Sequence, residues 1–291
     1  MVRKIRLAIG LLIGLSITTN ELMAAQITFA AIGDYGRNTS AEKTVASLVK
    51  KHNPEFIITL GDNNYPKGCW SSIDTNIGKY YHRFIYRYKG KQGEGSESLR
   101  FYPSLGNHDW AAAQSCLHHG ALPYLAYFSL PGNQRYYDFV KGPVHFFALD
   151  SDYREPDGNA IGSKQYDWFL ERIQASTAPF KVVYFHVPPY SSGRHGSNTT
   201  LQWDFAAQGV DLVLTGHDHI YERIERDGII YIVNGLGGAG RTQFSKNLVQ
   251  GSQRQYSNHN GFLLINANDH SMSVQFINDR NKVRDEFVLS K

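Results

Sequence analysis

The sequence is poor in the residues that mark flexible or repetitive architectures. Only 10 prolines and 2 cysteines occur among 291 residues, and there is no low-complexity tract or solenoid-type repeat. That argues against a disordered linker between modules and against a stacked-repeat fold. No basic stripe with interleaved aromatics is present, so a nucleic-acid surface is not supported. The glycine-rich stretch Gly235 to Gly240 lacks the Lys-Ser/Thr ending of a P-loop and reads instead as a close-packed turn. What remains is 42% hydrophobic and 19% charged, an ordinary globular balance with enough chain for a sizeable core. Length alone fits one large α/β domain as well as two small ones.

The N-terminus reads as a processing segment. Arg3, Lys4 and Arg6 open it, a short apolar run from Leu7 to Ile17 follows, and small residues Ala24 and Ala25 close it. Those three parts make a secretory signal peptide over residues 1–25, with the remaining 26–291 as a single domain, exported to a periplasm or beyond. The apolar run is too short for a spanning helix, which needs roughly 20 residues, and no membrane span is expected in the mature chain. Losing Arg3, Lys4, Arg6 and Glu21 takes the formal charge from +4 to +2, a weak imbalance. Export would place Cys69 and Cys116 where a pair can bridge. A bridge, two free buried thiols and metal-contacting thiols all stay open, because sequence does not give their separation.

Short apolar runs predict strands at Ile27–Ile32, Phe56–Leu60, Phe101–Leu105, Tyr136–Val140, Val144–Leu149, Val182–Phe185 and Val210–Leu214. Helices are expected over Ala41–Val49, opened by a Thr39/Glu42 capping box, and over Ser163–Ser176 with Trp168 and Phe169 inward. A further helix carries Ile77, Tyr81, Phe84, Ile85 and Tyr88 on one face. The last third is all-β, with strands at Ile229–Val233, Phe262–Asn266, Ser273–Ile277 and Glu286–Leu289. Alternating βα units followed by a meander predict one α/β domain with mixed sheets.

Five polar motifs follow five of those apolar runs: Gly33-Asp34-Tyr35-Gly36, Gly61-Asp62-Asn63-Asn64-Tyr65, Gly106-Asn107-His108-Asp109, His186, and Gly216-His217-Asp218-His219. Each sits where a strand would end, the edge at which open α/β sheets bind ligands. Carboxylates, an amide, imidazoles and a phenol are metal-ligand types. A lone Asp after a strand is more often a cap, and a lone His more often a core residue. Five such motifs in series are not explained that way.

Gly-Asp-x-Gly, Gly-Asp-x-x-Tyr, Gly-Asn-His-Asp, Val-x-x-His and Gly-His-x-His resemble the ordered signature of purple acid phosphatases, within the calcineurin-like metallophosphoesterase superfamily. The resemblance runs from Ile27 to the C-terminal strands and is to the small, single-domain kind typified by tartrate-resistant acid phosphatase. It implies a four-layer α/β/β/α sandwich with two mixed β-sheets. It implies one metal held by Asp34, Asp62, Tyr65 and His219, and a second by Asp62, Asn107, His186 and His217, with Asp62 bridging. Where the wider superfamily has Asp-x-His in its first motif, this chain has Gly36 in place of the His, and Tyr65 would supply a ligand instead. Two carboxylates and a phenolate suit Fe(III) at the first position, and the more neutral second set suits Fe(II), Zn or Mn.

The expected chemistry is attack on a phosphate monoester by a metal-bound hydroxide, at acid pH, with a protonated imidazole serving the leaving oxygen. His108 is the first candidate for that imidazole, with Asp109 to orient it, and His195 the second. His118, His119 and His145 read as loop or packing residues. A phosphodiesterase on the same centre and a catalytically idle metal-binding or adhesion protein are the competing readings. The loops Pro66–Gly78, Trp110–Leu130 and Ser191–Thr200 would choose between substrates.

Overall fold

The computed structural model describes residues 26–291, so the expected signal segment lies outside the described residues. Among the described residues thirteen strands form two sheets. The first holds β1 (Ile27–Ile32), β2 (Phe56–Thr59), β3 (Phe101–Pro103), β11 (Gly261–Ala267), β12 (Ser271–Asn278) and β13 (Val283–Ser290), in the order β13-β12-β11-β1-β2-β3. The second holds β4 (Tyr137–Lys141), β5 (Val144–Ala148), β6 (Phe180–Tyr184), β7 (Leu212–Thr215), β8 (Tyr221–Arg226), β9 (Ile229–Asn234) and β10 (Ser252–Tyr256), in the order β10-β8-β9-β7-β6-β5-β4. Both are mixed: β1, β2 and β3 run parallel, as do β5, β6, β7 and β9, and antiparallel strands complete each sheet.

Alternation along the strands sets the layers. In β1, Ile27, Phe29 and Ala31 enter a core shared by the two sheets, where they meet Phe146, Val182, Leu214 and Ile232. Ala30 and Ile32 point the other way, onto Val45 and Val49 of helix α1 (Ser40–His52). On the outside of the second sheet, Phe147, Val183 and Val213 pack on Phe169 and Ile173 of the helix Lys164–Gln174. Strands buried on both faces read as unbroken apolar runs, which is why the core strands were visible in sequence. At the centre, Phe146 sits edge-on to Phe29 and Phe56 at centroid distances of 5.0 and 5.5 Å. Each such buried ring contributes about 1.5–3 kcal/mol of burial free energy. The expected four-layer α/β/β/α arrangement is the one found.

Local details differ from expectation in three places. Helix α1 is capped by Thr39, whose Oγ accepts the Glu42 amide at 3.0 Å, but the Glu42 carboxylate accepts the Arg37 and Asn38 amides rather than closing the box. The helix bearing Ile77 and Tyr81 is a run of short pieces from Trp70 to Phe84, with a π turn over Asp74–Gly78. Strands β8 and β10 had no sequence signal, since Tyr-Glu-Arg-Ile-Glu-Arg and Ser-Gln-Arg-Gln-Tyr are polar strands at the rim of the second sheet. Cys69 and Cys116 form a disulfide across 5.5 Å between Cα atoms.

Candidate metal centre

The seven sequence-predicted donors meet at one edge of the sandwich, just beyond the C-terminal ends of parallel strands. Asp34 follows β1, Asp62 and Tyr65 follow β2, and Asn107 follows β3. His186 follows β6, and His217 and His219 follow β7. Every oxygen donor therefore comes from the first sheet and every imidazole from the second.

Their atoms fall into two groups that share Asp62 Oδ2. In one, the Tyr65 phenol lies 2.9 Å from Asp34 Oδ1, 3.0 Å from Asp62 Oδ2 and 3.2 Å from His219 Nε2. In the other, His186 Nε2 lies 3.3 Å from Asp62 Oδ2, 3.0 Å from Asn107 Oδ1 and 3.2 Å from His217 Nδ1. Asp34, Asp62 and His186 each present an atom within 4.8 Å of the other two.

The backbone is bent to reach this arrangement. Asp34, Asp62 and His217 have φ of 56°, 51° and 69°, the left-handed region that residues with a Cβ avoid at a cost of about 1–2 kcal/mol each. Hydrogen bonds hold them there: the His217 amide donates to Asp34 Oδ2 and the His108 amide to Asp62 Oδ1, both at 2.8 Å. Gly216 has to be glycine, since a Cβ would stand 2.5 Å from Asp34 Oδ2. Orientation crosses the sheets as well. His186 Nδ1 lies 2.8 Å from the Leu60 carbonyl, which fixes its donor proton there and turns Nε2 to the centre.

The electrostatics call for cations. Asp34 and Asp62 are buried and have no Lys or Arg partner among the described residues, only histidines. Burial alone would raise both carboxyls, but the surrounding histidines, His186 foremost with His219 at Asp34 and His108 at Asp62, together hold them below the usual carboxylate range. Burial would likewise lower His186, yet Asp62 and Asp34 pull it up to about 10. Burial, reinforced by His186, pushes His217 down to about 3. Burial and then the two carboxylates push the Tyr65 phenol well above its ordinary value. Such a set of buried anionic and neutral donors, lacking a permanent cation of its own, fits a pair of metal ions.

A cavity of about 200 Å³ opens on the centre, lined by Asp62, Asn107, His108, His195 and the two β7 histidines, with Arg194 and Thr242. His108 is on its wall: Nδ1 is 2.5 Å from the Pro66 carbonyl and Nε2 faces Asp62 Oδ2 at 3.8 Å. His195 also lines it, its ring centroid 4.3 Å from that of His217. The expected orienting role of Asp109 is corrected. Its buried carboxylate accepts the Asn63 amide and side chain and the Gly106 amide, and the Pro66 carbonyl orients His108 instead. Neighbours one residue apart on a helical turn point in different directions, so adjacency in sequence misled.

Sequence reasoning missed the residues that fasten the cavity walls. Asp218, between two ligand candidates, accepts the His195 amide at 2.8 Å and the Ser191 hydroxyl at 2.6 Å. Glu222 accepts the Ser192 amide and hydroxyl. Arg154, paired with Asp152, donates to the Asn107 carbonyl at 3.0 Å.

Comparison with known proteins agrees with this geometry. Residues 27–221 match the calcineurin-like phosphoesterase family, and residues 228–286 match iron/zinc purple acid phosphatase-like protein C. Purple acid phosphatase 17 of Arabidopsis thaliana is 26% identical, over 72% of this chain and 68% of that protein. Tartrate-resistant acid phosphatase type 5 of Rattus norvegicus is 23% identical, over 78% of this chain and 79% of that protein. Against the longer Glycine max purple acid phosphatase, 26% identical over 72% of this chain, the match spans only 47% of the relative. Among solved structures, purple acid phosphatase PPD1 from yellow lupin seeds superposes with a TM-score of 0.69 at 17% identity, covering 92% of this chain and 54% of that one. GAP50, the anchor in the inner membrane complex of Plasmodium, gives 0.67 at 19%, covering 91% and 89%. The donors gathered between the two sheets thus have a matching lineage, and the chain belongs to the calcineurin-like phosphoesterase family.

Proposed function

We propose that this chain is a dinuclear-metal phosphatase that hydrolyses phosphomonoesters at acid pH. The observation that carries the reading is the pair of donor groups meeting at Asp62 Oδ2. Asp34, Asp62, Tyr65 and His219 would hold Fe(III), since two carboxylates and a phenol are hard anionic donors. Asp62, Asn107, His186 and His217 would hold a divalent ion, Fe(II), Zn or Mn. A bound metal pair supplies positive charge for the phosphate and lowers the pKa of water at the site.

The chain's own groups do the rest. His108 Nδ1–H donates a hydrogen bond to the Pro66 carbonyl, so Nε2 is the atom that faces Asp62 and can hold a proton for the leaving oxygen. His195 offers a second imidazole on the cavity lining, held by the Asp218 carboxylate through its amide. Asp109 acts one step back, fixing Asn63 and the turn at Gly106 that delivers Asn107. Residues 26–291 work as one domain, and the Cys69–Cys116 bridge supports an exported, oxidising location. Among the described residues no helix is long and apolar enough to cross a membrane.

The test is hydrolysis of p-nitrophenyl phosphate against bis(p-nitrophenyl) phosphate by metal-replete protein from acid to neutral pH. A monoester preference at acid pH is expected. A diester preference would move the function to a phosphodiesterase on the same centre. Turnover of neither would favour the idle-scaffold reading, for which the anchor described in Plasmodium offers a parallel fold.

A further inference from the structure

The cavity wall carries one permanent cation, Arg194. Its guanidinium, like those of the exposed Arg83, Arg87 and Arg280, has no hydrogen-bond or ion-pair partner among the described residues, but Arg194 alone of these lines the cavity. An unpaired guanidinium on the lip of an anion-binding cavity has an obvious complement in a substrate anion.

The backbone beside it is fixed. On one side the Ser192 amide donates to Glu222 at 2.7 Å, and Ser245 donates from its amide to the Ser192 carbonyl at 2.7 Å and from its hydroxyl to the Gly193 carbonyl at 2.9 Å. On the other side the His195 amide donates to Asp218. Gly193 lies so close to Asp218 that an added Cβ would stand 2.2 Å from its carboxyl carbon. The Arg194 Cα is therefore held in place, and only its side chain moves. Depth then decides which part of a substrate it meets. Asp62 and His186 at the base are buried, whereas Arg194 and His195 are exposed. The reacting phosphate belongs with the buried donors, so the guanidinium stands over what projects outward from it. His195 and His217 also line an adjoining hollow of about 330 Å³ with Val187, Ser197, Asn198 and Thr199, which holds no Phe, Tyr or Trp.

We infer that Arg194 grips a second anionic group, phosphate or carboxylate, on the leaving-group side of the substrate. The inference rests on the phosphatase reading above and adds a substrate class to it: compact phosphate esters or anhydrides bearing a second anion.

The experiment compares the metal-loaded wild type with Arg194→Ala and Arg194→Lys on pyrophosphate, phosphoglycolate and p-nitrophenyl phosphate. Removing a charge-assisted contact is expected to lower the kcat/KM ratio of the doubly anionic substrates over p-nitrophenyl phosphate by about tenfold or more. Lysine should restore part of it, and added salt should erode the preference in the wild type more than in the alanine variant. A fall in the pyrophosphate ratio alone assigns a second phosphate, and in the phosphoglycolate ratio alone a carboxylate. Unchanged ratios overturn the inference, and so do equal losses on all three, which would place the guanidinium on the reacting phosphate. If the wild type turns over none of the three, the phosphatase reading fails instead. Calorimetric binding of pyrophosphate against orthophosphate then tests Arg194 separately. A pyrophosphate preference lost in Arg194→Ala supports the contact, and no preference overturns it.

Discussion

The two sheets reach the same point with opposite chemistry. Loops after β1, β2 and β3 bring two carboxylates, a phenol and an amide, while loops after β6 and β7 bring three imidazoles. They are fastened differently too. The first sheet's rim carries the Cys69–Cys116 bridge next to the His108 segment, and the second sheet's rim is pinned through Asp218 and Glu222. Neither half is a site by itself. Asp34 and Asp62 without the histidines would be two buried like charges, and His217 in its buried setting is already pushed down to about 3. The aromatic core between the sheets is therefore part of the site's construction.

Breaking the shared donor should have the largest effect. Asp62→Asn is expected to lower kcat/KM at least about a thousandfold and to cost bound metal, measured by steady-state kinetics with elemental analysis. His186→Ala from the other sheet should do the same. If one variant kept both metal and turnover, the halves would not be interdependent.

Loosening the packing between the sheets comes next. Phe146→Ala should cost about 3–5 kcal/mol in denaturant unfolding, because the ring is fully buried against Phe29 and Phe56. Apparent metal affinity should fall with it. Destabilisation with metal affinity untouched would mean that the loops hold the centre without help from the core.

The smallest effect isolates what the imidazoles do. Glu42 is as buried as Asp34 but is surrounded by backbone amides, and its Oε1 has no partner. Burial pushes it up to about 8 from an ordinary 4.5. A raised folded-state pKa means that its stabilising share is fully present below the unfolded value and is lost as pH rises through about 8. Relative to Glu42→Gln, the wild type should therefore lose about 1–3 kcal/mol between acid and mildly alkaline pH, read from denaturant melts at both ends. A pH-independent difference would show that a buried carboxylate here needs no imidazole to stay ionised.

Much of this was legible in the sequence for a physical reason. Strands buried on both faces leave apolar runs, and each donor follows one of them directly, so order and spacing exposed Asp34, Asp62, Asn107, His186 and His217. Residues that act through another residue's backbone were not legible. Asp218 supports an amide 23 positions away and Glu222 one 30 positions away, and nothing in either neighbourhood announces it. Arg194 looked like any loop arginine, because lacking a partner is a property of the fold. Strands β8 and β10 stayed hidden since their pairing, not their composition, makes them strands.

The left-handed backbone at Asp34, Asp62 and His217 has a consequence for how such a chain can change. Glycine at any of the three would relax the local conformation while deleting a donor. Variation selected for robustness alone would thus drift toward an inactive scaffold, and the strained residues persist only where turnover is itself under selection.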